Sequence, residues 1–288
     1  MARLFGGIEA GGTEFVCGVA TIRSTDIVDK VIIQTTTPSE TLQRVIDFFR
    51  GYSLHSLGIA CFGPVDLAAG RITTTPKPGW TDTDIVGPLR EALGVPIRFD
   101  TDVNGAVLGE ARHGAGQGKD PLVYMTIGTG IGAGMLVNGY LVHGLVHPEA
   151  GHTLIRRHPD DRYVGGCPYH SDCLEGLASG PAIERRWGSP GRELPPEHPA
   201  WDLEAFYLAQ GMCSLVCVLS PQRFILGGGV MNQAQLLPLI RAKTRELLGG
   251  YINSSAILSA EIDTFIVPAS LGDDAGIIGA LELASDEA

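Results

Sequence analysis

Residues 4–20 read LFGGIEAGGTEFVCGVA, and residues 122–137 read LVYMTIGTGIGAGMLV. Each stretch consists of two apolar runs joined by a glycine-rich turn, which predicts a β-hairpin with a tight bend. The same strand, glycine turn and strand therefore stand at the head of both halves of the chain, which indicates an internal duplication. Further strands alternate with helix-like segments behind each hairpin, so we predict two similar α/β domains.

The length of 288 residues suits two domains. The polar, glycine-rich segment 114–120 is the best candidate for their boundary, since such segments interrupt regular structure. We predict an N-terminal α/β domain at 1–118 and a C-terminal α/β domain at 119–288. The last apolar segment, 273–284, predicts a terminal helix that can pack back on the first domain.

Composition excludes several classes of protein. Hydrophobic residues make up 44% of the chain and charged residues 18%, which is unlike a disordered protein. The net charge of −11 argues against nucleic acid as a partner, because phosphate binding needs clustered Lys and Arg. No apolar run approaches the roughly 18–20 residues of a membrane helix, and no secretion signal is visible at the start. We therefore expect a cytoplasmic protein that is not bound to a membrane.

The second glycine turn, 128–133, formally matches the dinucleotide pattern G-x-G-x-x-G/A. That pattern requires a helix after the turn, whereas Asn138-Gly139 predicts the tip of another hairpin, which disfavours a nicotinamide-dependent dehydrogenase. A glycine turn within a hairpin can still bind phosphate through its backbone amides. Tight hairpin geometry alone is the alternative, and the further turn at Gly227-Gly228-Gly229 leaves the two interpretations evenly balanced.

Asp102 lies where a predicted strand ends and a predicted helix begins. Asp is a favoured helix N-cap, so this position has a purely structural explanation. The same place suits a general base, because the helix dipole favours an ionised carboxylate and ligands of α/β folds bind at the carboxyl ends of strands. The two interpretations are compatible.

Three residues with the spacing C-x2-H-x2-C, namely Cys167, His170 and Cys173, can come from one tight loop. Thiolates and imidazoles are the ligands of tetrahedral zinc, and His152 is the obvious fourth ligand. His147 and His158 compete for that fourth position, and chance proximity of reduced cysteines is the alternative to a metal site. Because no coordination position is obviously open, we expect a structural zinc ion rather than a catalytic one.

Taken together, these motifs resemble those of the ROK sugar kinases, and within them the bacterial fructokinases, over essentially the whole chain. The segments that carry the resemblance are Gly6–Thr13, Cys61–Asp66, Thr75–Trp80, Thr101–Gly105, Cys167–Gly176 and Leu271–Gly276. The resemblance implies a two-domain actin/hexokinase-like (ribonuclease H-like) fold with ATP and sugar in an interdomain cleft. It also implies Mg²⁺, a structural Zn²⁺ and a homodimer, and phosphorylation of D-fructose to fructose 6-phosphate.

The resemblance assigns roles to individual residues, with Asp102 as the catalytic base. The residues that it implies for ATP are Gly11, Gly12, Thr13, Gly128, Thr129, Gly130, Gly227, Gly228 and Gly229. The residues that it implies for the sugar are Gly63, Asn104, Glu149, His152 and Glu175, and those for the metal are His152, Cys167, His170 and Cys173.

Four departures from the family pattern bear on these roles. Glu9 replaces a common Asp that helps to place Mg²⁺, and Glu14 stands where a Lys commonly follows the glycines. Thr101 replaces a common Asn, and the spacing of the zinc loop differs; both features are typical of the fructokinase branch. The alternatives are a kinase for mannose, glucose or N-acetylmannosamine, and a sugar-sensing ROK protein without activity.

Overall fold

The computed structural model describes residues 3–21 and 25–285. The strands are β1 Leu4–Ala10, β2 Glu14–Thr21, β3 Ile27–Gln34, β4 Leu54–Cys61, β5 Val65–Asp66, β6 Arg71–Ile72, β7 Thr83–Asp84, β8 Ile97–Thr101, β9 Leu122–Ile127, β10 Ile131–Val137, β11 Tyr140–Leu141, β12 Arg223–Gly227 and β13 Ile266–Pro268. The helices are α1 Pro38–Phe49, α2 Val86–Leu93, α3 Asp102–His113, α4 Leu174–Ala178, α5 Gly180–Trp187, α6 Ala200–Leu219, α7 Leu236–Leu248, α8 Ser255–Leu258, α9 Ile262–Phe265 and α10 Ala275–Ser285. The predicted α/β class is confirmed.

The described residues group into two compact units. Unit 1 comprises those within Met1–Gln117, Leu141–Pro148 and Ser270–Ala288, and unit 2 comprises Gly118–Tyr140 and Glu149–Ala269. This grouping departs from the domains 1–118 and 119–288 expected from the sequence at Leu141–Pro148, whereas the terminal helix was expected to be able to pack on the first domain. Both the segment Leu141–Pro148 and the end of the chain, which carries α10, group with unit 1.

Unit 1 contains a five-stranded sheet in the order β3-β2-β1-β4-β8 and a small sheet in the order β5-β6-β7. β1 pairs antiparallel with β2 and parallel with β4, which in turn pairs parallel with β8. The register places Ala10, Cys61 and Thr101 side by side at the carboxyl ends of the three parallel strands. The segments that follow these ends, including the first glycine turn and Asp102, therefore leave the sheet at one edge.

The two faces of this sheet are covered by different helices. On one face, Ile59 and Cys61 of β4 share a buried core with α1. On the other face, Ala60 packs with Leu108 of α3 and with Ala280 of α10. Because adjacent residues of a strand point to opposite faces, both sides of β4 are apolar, as is usual for a strand buried between helix layers.

Unit 2 repeats this topology with the sheet order β11-β10-β9-β12-β13. β9 and β10 form an antiparallel hairpin, and β12 lies parallel to both β9 and β13. The duplication inferred from the sequence is therefore present in the strand connectivity. The glycine turn itself is shorter than the 128–133 expected from the sequence, because residues from Ile131 onward lie within β10. A strand rather than a helix follows the turn, so the geometry of a dinucleotide-binding fold is absent there.

Helix α6 corrects one expectation from the sequence. Over Ala200–Leu219 it is long and apolar enough to pass a length and composition test for a membrane span, which the sequence inspection missed. Half of the most apolar 18-residue stretch of this helix is buried within the protein. The helix also packs against α7. Core helices of soluble proteins pass the same test, and the buried Glu204 lies within this one.

Candidate active site and metal site

The first glycine turn joins β1 to β2 in unit 1. The amide of Gly11 donates to the carbonyl oxygen of Glu14 at 2.9 Å, and Thr35 Oγ1 donates to the carbonyl oxygen of Gly11 at 2.8 Å. A side chain at Gly12 would meet no other atom within 4 Å, and Thr13 is exposed. The hydrogen bonds to Glu14 and Thr35 thus hold the turn at Gly11. The space beside Gly12 leaves room for a ligand close to the backbone.

The two glycine turns of unit 2 lie next to each other. Gly128 N donates to the carbonyl oxygen of Gly130 at 2.9 Å, and Gly180 N at the start of α5 donates to the carbonyl oxygen of Gly128 at 2.8 Å. The amide nitrogen of Gly229 lies 4.0 Å from the position that a Cβ on Gly128 would take. The sequence predicted these turns separately, and the fold brings them together.

Glu175 of α4 holds the end of the second glycine turn. Its Oε2 accepts a hydrogen bond from the amide of Ile131 at 3.0 Å. A Cβ on Gly130 would lie 2.7 Å from the same oxygen, so a larger residue there would displace the Glu175 carboxylate from its present position. The other oxygen, Oε1, lies 3.9 Å from His152 Nε2. Glu175, expected from the sequence as a sugar contact, also connects the turn to the histidine and cysteine cluster.

His152, Cys167, His170 and Cys173 come together in unit 2, with their ligand atoms within 4.8 Å of one another. The sulfur of Cys167 lies 3.6 Å from His152 Nδ1 and 3.7 Å from His170 Nδ1. Tetrahedral zinc, with bonds of about 2.3 Å to sulfur and 2.0–2.1 Å to nitrogen, requires a sulfur–nitrogen separation of about 3.5 Å. The donor set and its spacing therefore fit zinc.

Neither of the histidines that competed for the fourth position belongs to this cluster. His147 lies in unit 1, where its Nε2 accepts a hydrogen bond from the amide of Val65 at 3.1 Å. His158 Nδ1 accepts one from the amide of Asp160 at 3.3 Å. Of the three candidates, His152 is the one that the fold places with the cysteines.

Glu149 lies just before the short 3₁₀ turn Ala150–His152, which places it near two other predicted sugar contacts. Burial raises its pKa, the nearby His152 opposes that shift, and Glu175 adds to it. Glu149, His152 and Glu175 thus form one electrostatically connected group in unit 2. The remaining predicted sugar residues, Gly63 and Asn104, belong to unit 1.

Asp102 is the first residue of α3, and Thr101 rather than Asp102 is the N-cap. Thr101 has extended backbone angles, and its hydroxyl oxygen accepts a hydrogen bond from Asn104 N at 3.2 Å. Asp102 Oδ1 accepts one from the amide of Val103 at 2.8 Å. The capping explanation for Asp102 is therefore wrong. Its carboxylate lies in the first turn of the helix, where the dipole favours negative charge.

Two residues that the sequence analysis missed surround this strand end. Asp100 Oδ2 lies 2.9 Å from His143 Nε2, and Asp100 Oδ1 accepts from the side-chain amide of Asn104 at 2.7 Å. Asn104, expected to line the sugar site, is 1% exposed. The available signal in the sequence was the pair of histidines, His143 and His147, between the second hairpin and the predicted Glu149.

Glu9 lies near the end of β1, one residue before Ala10. Burial raises its pKa to about 7, and the negative charges of Asp102 and Asp274 add to the shift. Its Oε2 is buried without a hydrogen-bond partner among the described residues. A buried carboxylate oxygen of this kind beside other carboxylates fits a site that would be completed by a cation.

Comparison with known proteins places the chain among sugar kinases. Residues 5–287 match the family model of the ROK family. The chain belongs to the ROK family. A fructokinase from Zymomonas mobilis is 44% identical, with 98% of this chain and 96% of the relative aligned. A fructokinase from Pediococcus pentosaceus is 43% identical over 98% of this chain and 97% of its own.

Solved structures agree with this assignment to the ROK family. The ROK hexokinase from Thermus thermophilus superimposes with a TM-score of 0.81 at 28% identity, covering 99% of this chain and 98% of its own. A ROK glucokinase from Streptomyces griseus, solved with glucose and AMPPNP, gives a TM-score of 0.76 at 26% identity over 98% and 99% of the two chains. The actin/hexokinase-like fold expected from the sequence is confirmed.

Proposed function

We propose that this ROK protein is a fructokinase that transfers the terminal phosphoryl group of ATP to the 6-hydroxyl of D-fructose. The observation that carries the proposal is the carboxylate of Asp102 in the first turn of α3, in a chain more than 40% identical to fructokinases over nearly its whole length. The products are ADP and fructose 6-phosphate.

In this proposal Asp102 is the general base. The 6-hydroxyl oxygen attacks the γ-phosphorus, its proton passes to the Asp102 carboxylate, and ADP leaves. Phosphoryl transfer depends mainly on positioning and on stabilising charge, so the base must be ionised and held still. The hydrogen bond from Val103 N and the position at the start of α3 support both requirements.

The glycine turns supply the ATP contacts. Gly11, Gly12 and Thr13 of unit 1, and Gly128, Thr129 and Gly130 of unit 2, offer backbone amides to the phosphates. Gly227, Gly228 and Gly229 are assigned to the adenosine side. The proximity of Gly128 to Gly229 supports a common ligand for the two turns of unit 2.

Mg²⁺ accompanies ATP in this proposal, where it would neutralise phosphate charge. The orphaned buried oxygen of Glu9 fits a role in holding the ion, through water because magnesium keeps most of its hydration shell. Zn²⁺ would be held by His152, Cys167, His170 and Cys173, with all four positions filled by protein. It would stiffen the segment that carries His152 and Glu175.

A coupled assay of ADP release with a panel of sugars tests the substrate. We expect D-fructose to give the highest kcat/KM, and preference for glucose, mannose or N-acetylmannosamine would contradict the proposal. Absence of turnover with all sugars, alongside sugar binding, would instead favour a non-catalytic sugar sensor. We further propose a cytoplasmic homodimer, which light scattering and cell fractionation test directly.

A further inference from the structure

The segment Leu141–Pro148 places two histidines in unit 1, and the proposed mechanism uses neither. His147 is 6% exposed, and its Nε2 accepts a hydrogen bond from the amide of Val65. Burial lowers the pKa of His147, so the neutral imidazole is favoured. His147 thus connects the segment Leu141–Pro148 to the chain around Gly63. A Cβ added to Gly63 would lie 3.6 Å from the His147 ring.

His143 has the opposite electrostatic environment. Its Nε2 lies 2.9 Å from Asp100 Oδ2, and the ring is 38% exposed. The hydrogen bond with Asp100 raises the pKa of His143 and outweighs the opposing effect of partial burial. Because an ionised carboxylate only accepts hydrogen bonds, Nε2 carries a proton, and the charged imidazolium is favoured.

Asp100 connects His143 to the base. It is 5% exposed, and donors from three residues converge on it: the backbone amide of Thr101 at 2.8 Å, the side-chain amide of Asn104 at 2.7 Å and His143. Two of these donors belong to Thr101 and Asn104, which precede and follow Asp102 in the sequence. A buried carboxylate with a cationic partner and all these hydrogen bonds holds its neighbours in one geometry.

We propose that His143 is a positioning residue for phosphoryl transfer, which through Asp100 fixes the strand end that carries Asp102 and balances the negative charge beside this base. The inference rests on the proposed role of Asp102. Without the imidazolium, a buried anionic Asp100 would stand two residues from Asp102 uncompensated. Like charges disfavour ionisation, so the base would hold its proton to higher pH.

Other titratable groups near the base do not supply this compensation. Glu9 of β1 is a further acid whose pKa is raised by Asp102, and Cys61 of β4 is a buried thiol whose pKa is raised by burial and by Asp102. His147 is near Asp100, Asp102 and His143, but it is held neutral by burial. Among these described groups, His143 is the cation.

The test compares His143→Gln, which keeps a hydrogen-bond donor without charge, with His143→Lys, which keeps both. We expect the acid limb of the kcat/KM profile for fructose to move up by about one pH unit in His143→Gln, since the Asp100 charge that His143 offsets would then disfavour ionisation of the base. His143→Lys should restore the limb toward that of the wild type. His158→Gln is the matched control, because His158 belongs to unit 2, lies 3.9 Å from exposed Asp160 and has no part in the proposed mechanism.

An unchanged acid limb in His143→Gln overturns the inference. Equal losses in the Gln and Lys variants with lowered Tm also overturn it, because that result describes a packing role. The variant Asp102→Asn separates this inference from the proposed function: if Asp102→Asn is inactive and His143→Gln is normal, only the role of His143 fails. If Asp102→Asn is active, the base assignment fails and the role of His143 fails with it.

Discussion

At the scale of single residues, Thr101 and Asp102 divide two tasks that the sequence had assigned to one. Thr101 satisfies the helix amide of Asn104, which leaves Asp102 to present its carboxylate from the first helical turn. The sequence predicted the strand-to-helix junction correctly, and the role of the acid remains a prediction. It could not decide which of two adjacent capping residues is the cap, because that choice depends on backbone angles.

Substitution of the proposed base tests this division. We expect Asp102→Asn to fold and to bind fructose, because Thr101 still caps α3. Its kcat should fall by about 10²–10⁴-fold, the usual contribution of a general base. Circular dichroism, fructose titration and the coupled kinase assay provide the three measurements. Near-normal turnover would refute the assignment of the base.

Glu9 gives a second residue-scale prediction. With a pKa raised to about 7, this carboxyl is increasingly protonated as the pH falls below 7, and the protonated form holds a cation poorly. We expect the Mg²⁺ concentration for half-maximal activity to increase as the pH is lowered from 8 to 6. Glu9→Gln should raise it about tenfold at pH 8 and remove most of its pH dependence, whereas Glu9→Asp should retain that dependence. A pH-independent magnesium requirement in the wild type would contradict the role of Glu9.

At the scale of elements, Glu110 of α3 forms hydrogen bonds with chain segments that are far apart in sequence. It is fully buried, and its carboxylate accepts hydrogen bonds from the amides of Ala115, Ser270 and Leu271 at 2.7–2.9 Å. One segment leaves unit 1 after α3, and the other returns to unit 1 before α10. The carboxylate therefore anchors, within unit 1, the first segment to leave this unit and the last segment to return to it.

Replacing the Glu110 carboxylate should destabilise the folded protein. Glu110→Gln puts an amide donor among backbone donors, and each buried donor left unpaired costs about 1–3 kcal/mol. We expect the free energy of unfolding to fall by about 3 kcal/mol in urea titrations. Glu91→Gln on α2 is the control, because Glu91 is exposed. Equal stability of the two variants would show that the anchor is dispensable.

The zinc loop provides the other prediction at this scale. Cys167→Ser should lose bound zinc, lower the Tm by about 5 °C or more and raise the KM for fructose, because His152 and Glu175 are carried by the same assembly. Cys217→Ser is the control, since Cys217 is exposed on α6. Elemental analysis of the wild type decides the first point: protein without zinc that is fully stable rejects the metal site.

The sequence predicted these elements unevenly. The C-x2-H-x2-C spacing identified three members of the cluster, because one tight loop brings them together. It favoured His152 as the fourth member but left His147 and His158 as competitors, since that choice depends on how distant segments fold. For the same reason Asp100 and His143, 43 residues apart, were not recognised as a pair.

At the scale of the whole molecule, the repeated glycine hairpin was sufficient to predict a duplicated α/β architecture. In each five-stranded sheet, two parallel strands come after the hairpin in the sequence, as the repeat indicated. The sequence analysis also allowed the terminal helix to pack on the first domain, but it did not predict that Leu141–Pro148 would group with unit 1. Contacts between segments remote in sequence decide it, and local composition carries little information about such contacts.

Substrate binding should stabilise the whole protein. A ligand that binds only the folded state at about 100 times its Kd adds about 2.7 kcal/mol to the free energy of unfolding. We expect fructose to raise the Tm accordingly and glucose at the same concentration to raise it less. A larger shift with glucose in differential scanning calorimetry would contradict the proposed sugar preference.

The route of the chain has a practical consequence for protein engineering. Since α10 comes from the far end of the sequence and covers one face of the first sheet, an expression fragment that stops after Gln117 would expose the apolar surfaces of Ala60 and Leu108. A circular permutant that begins at Ser270 and links the old termini would instead make α10 contiguous with β1. Such a rearranged gene is the better starting point for isolating the half that carries Asp102.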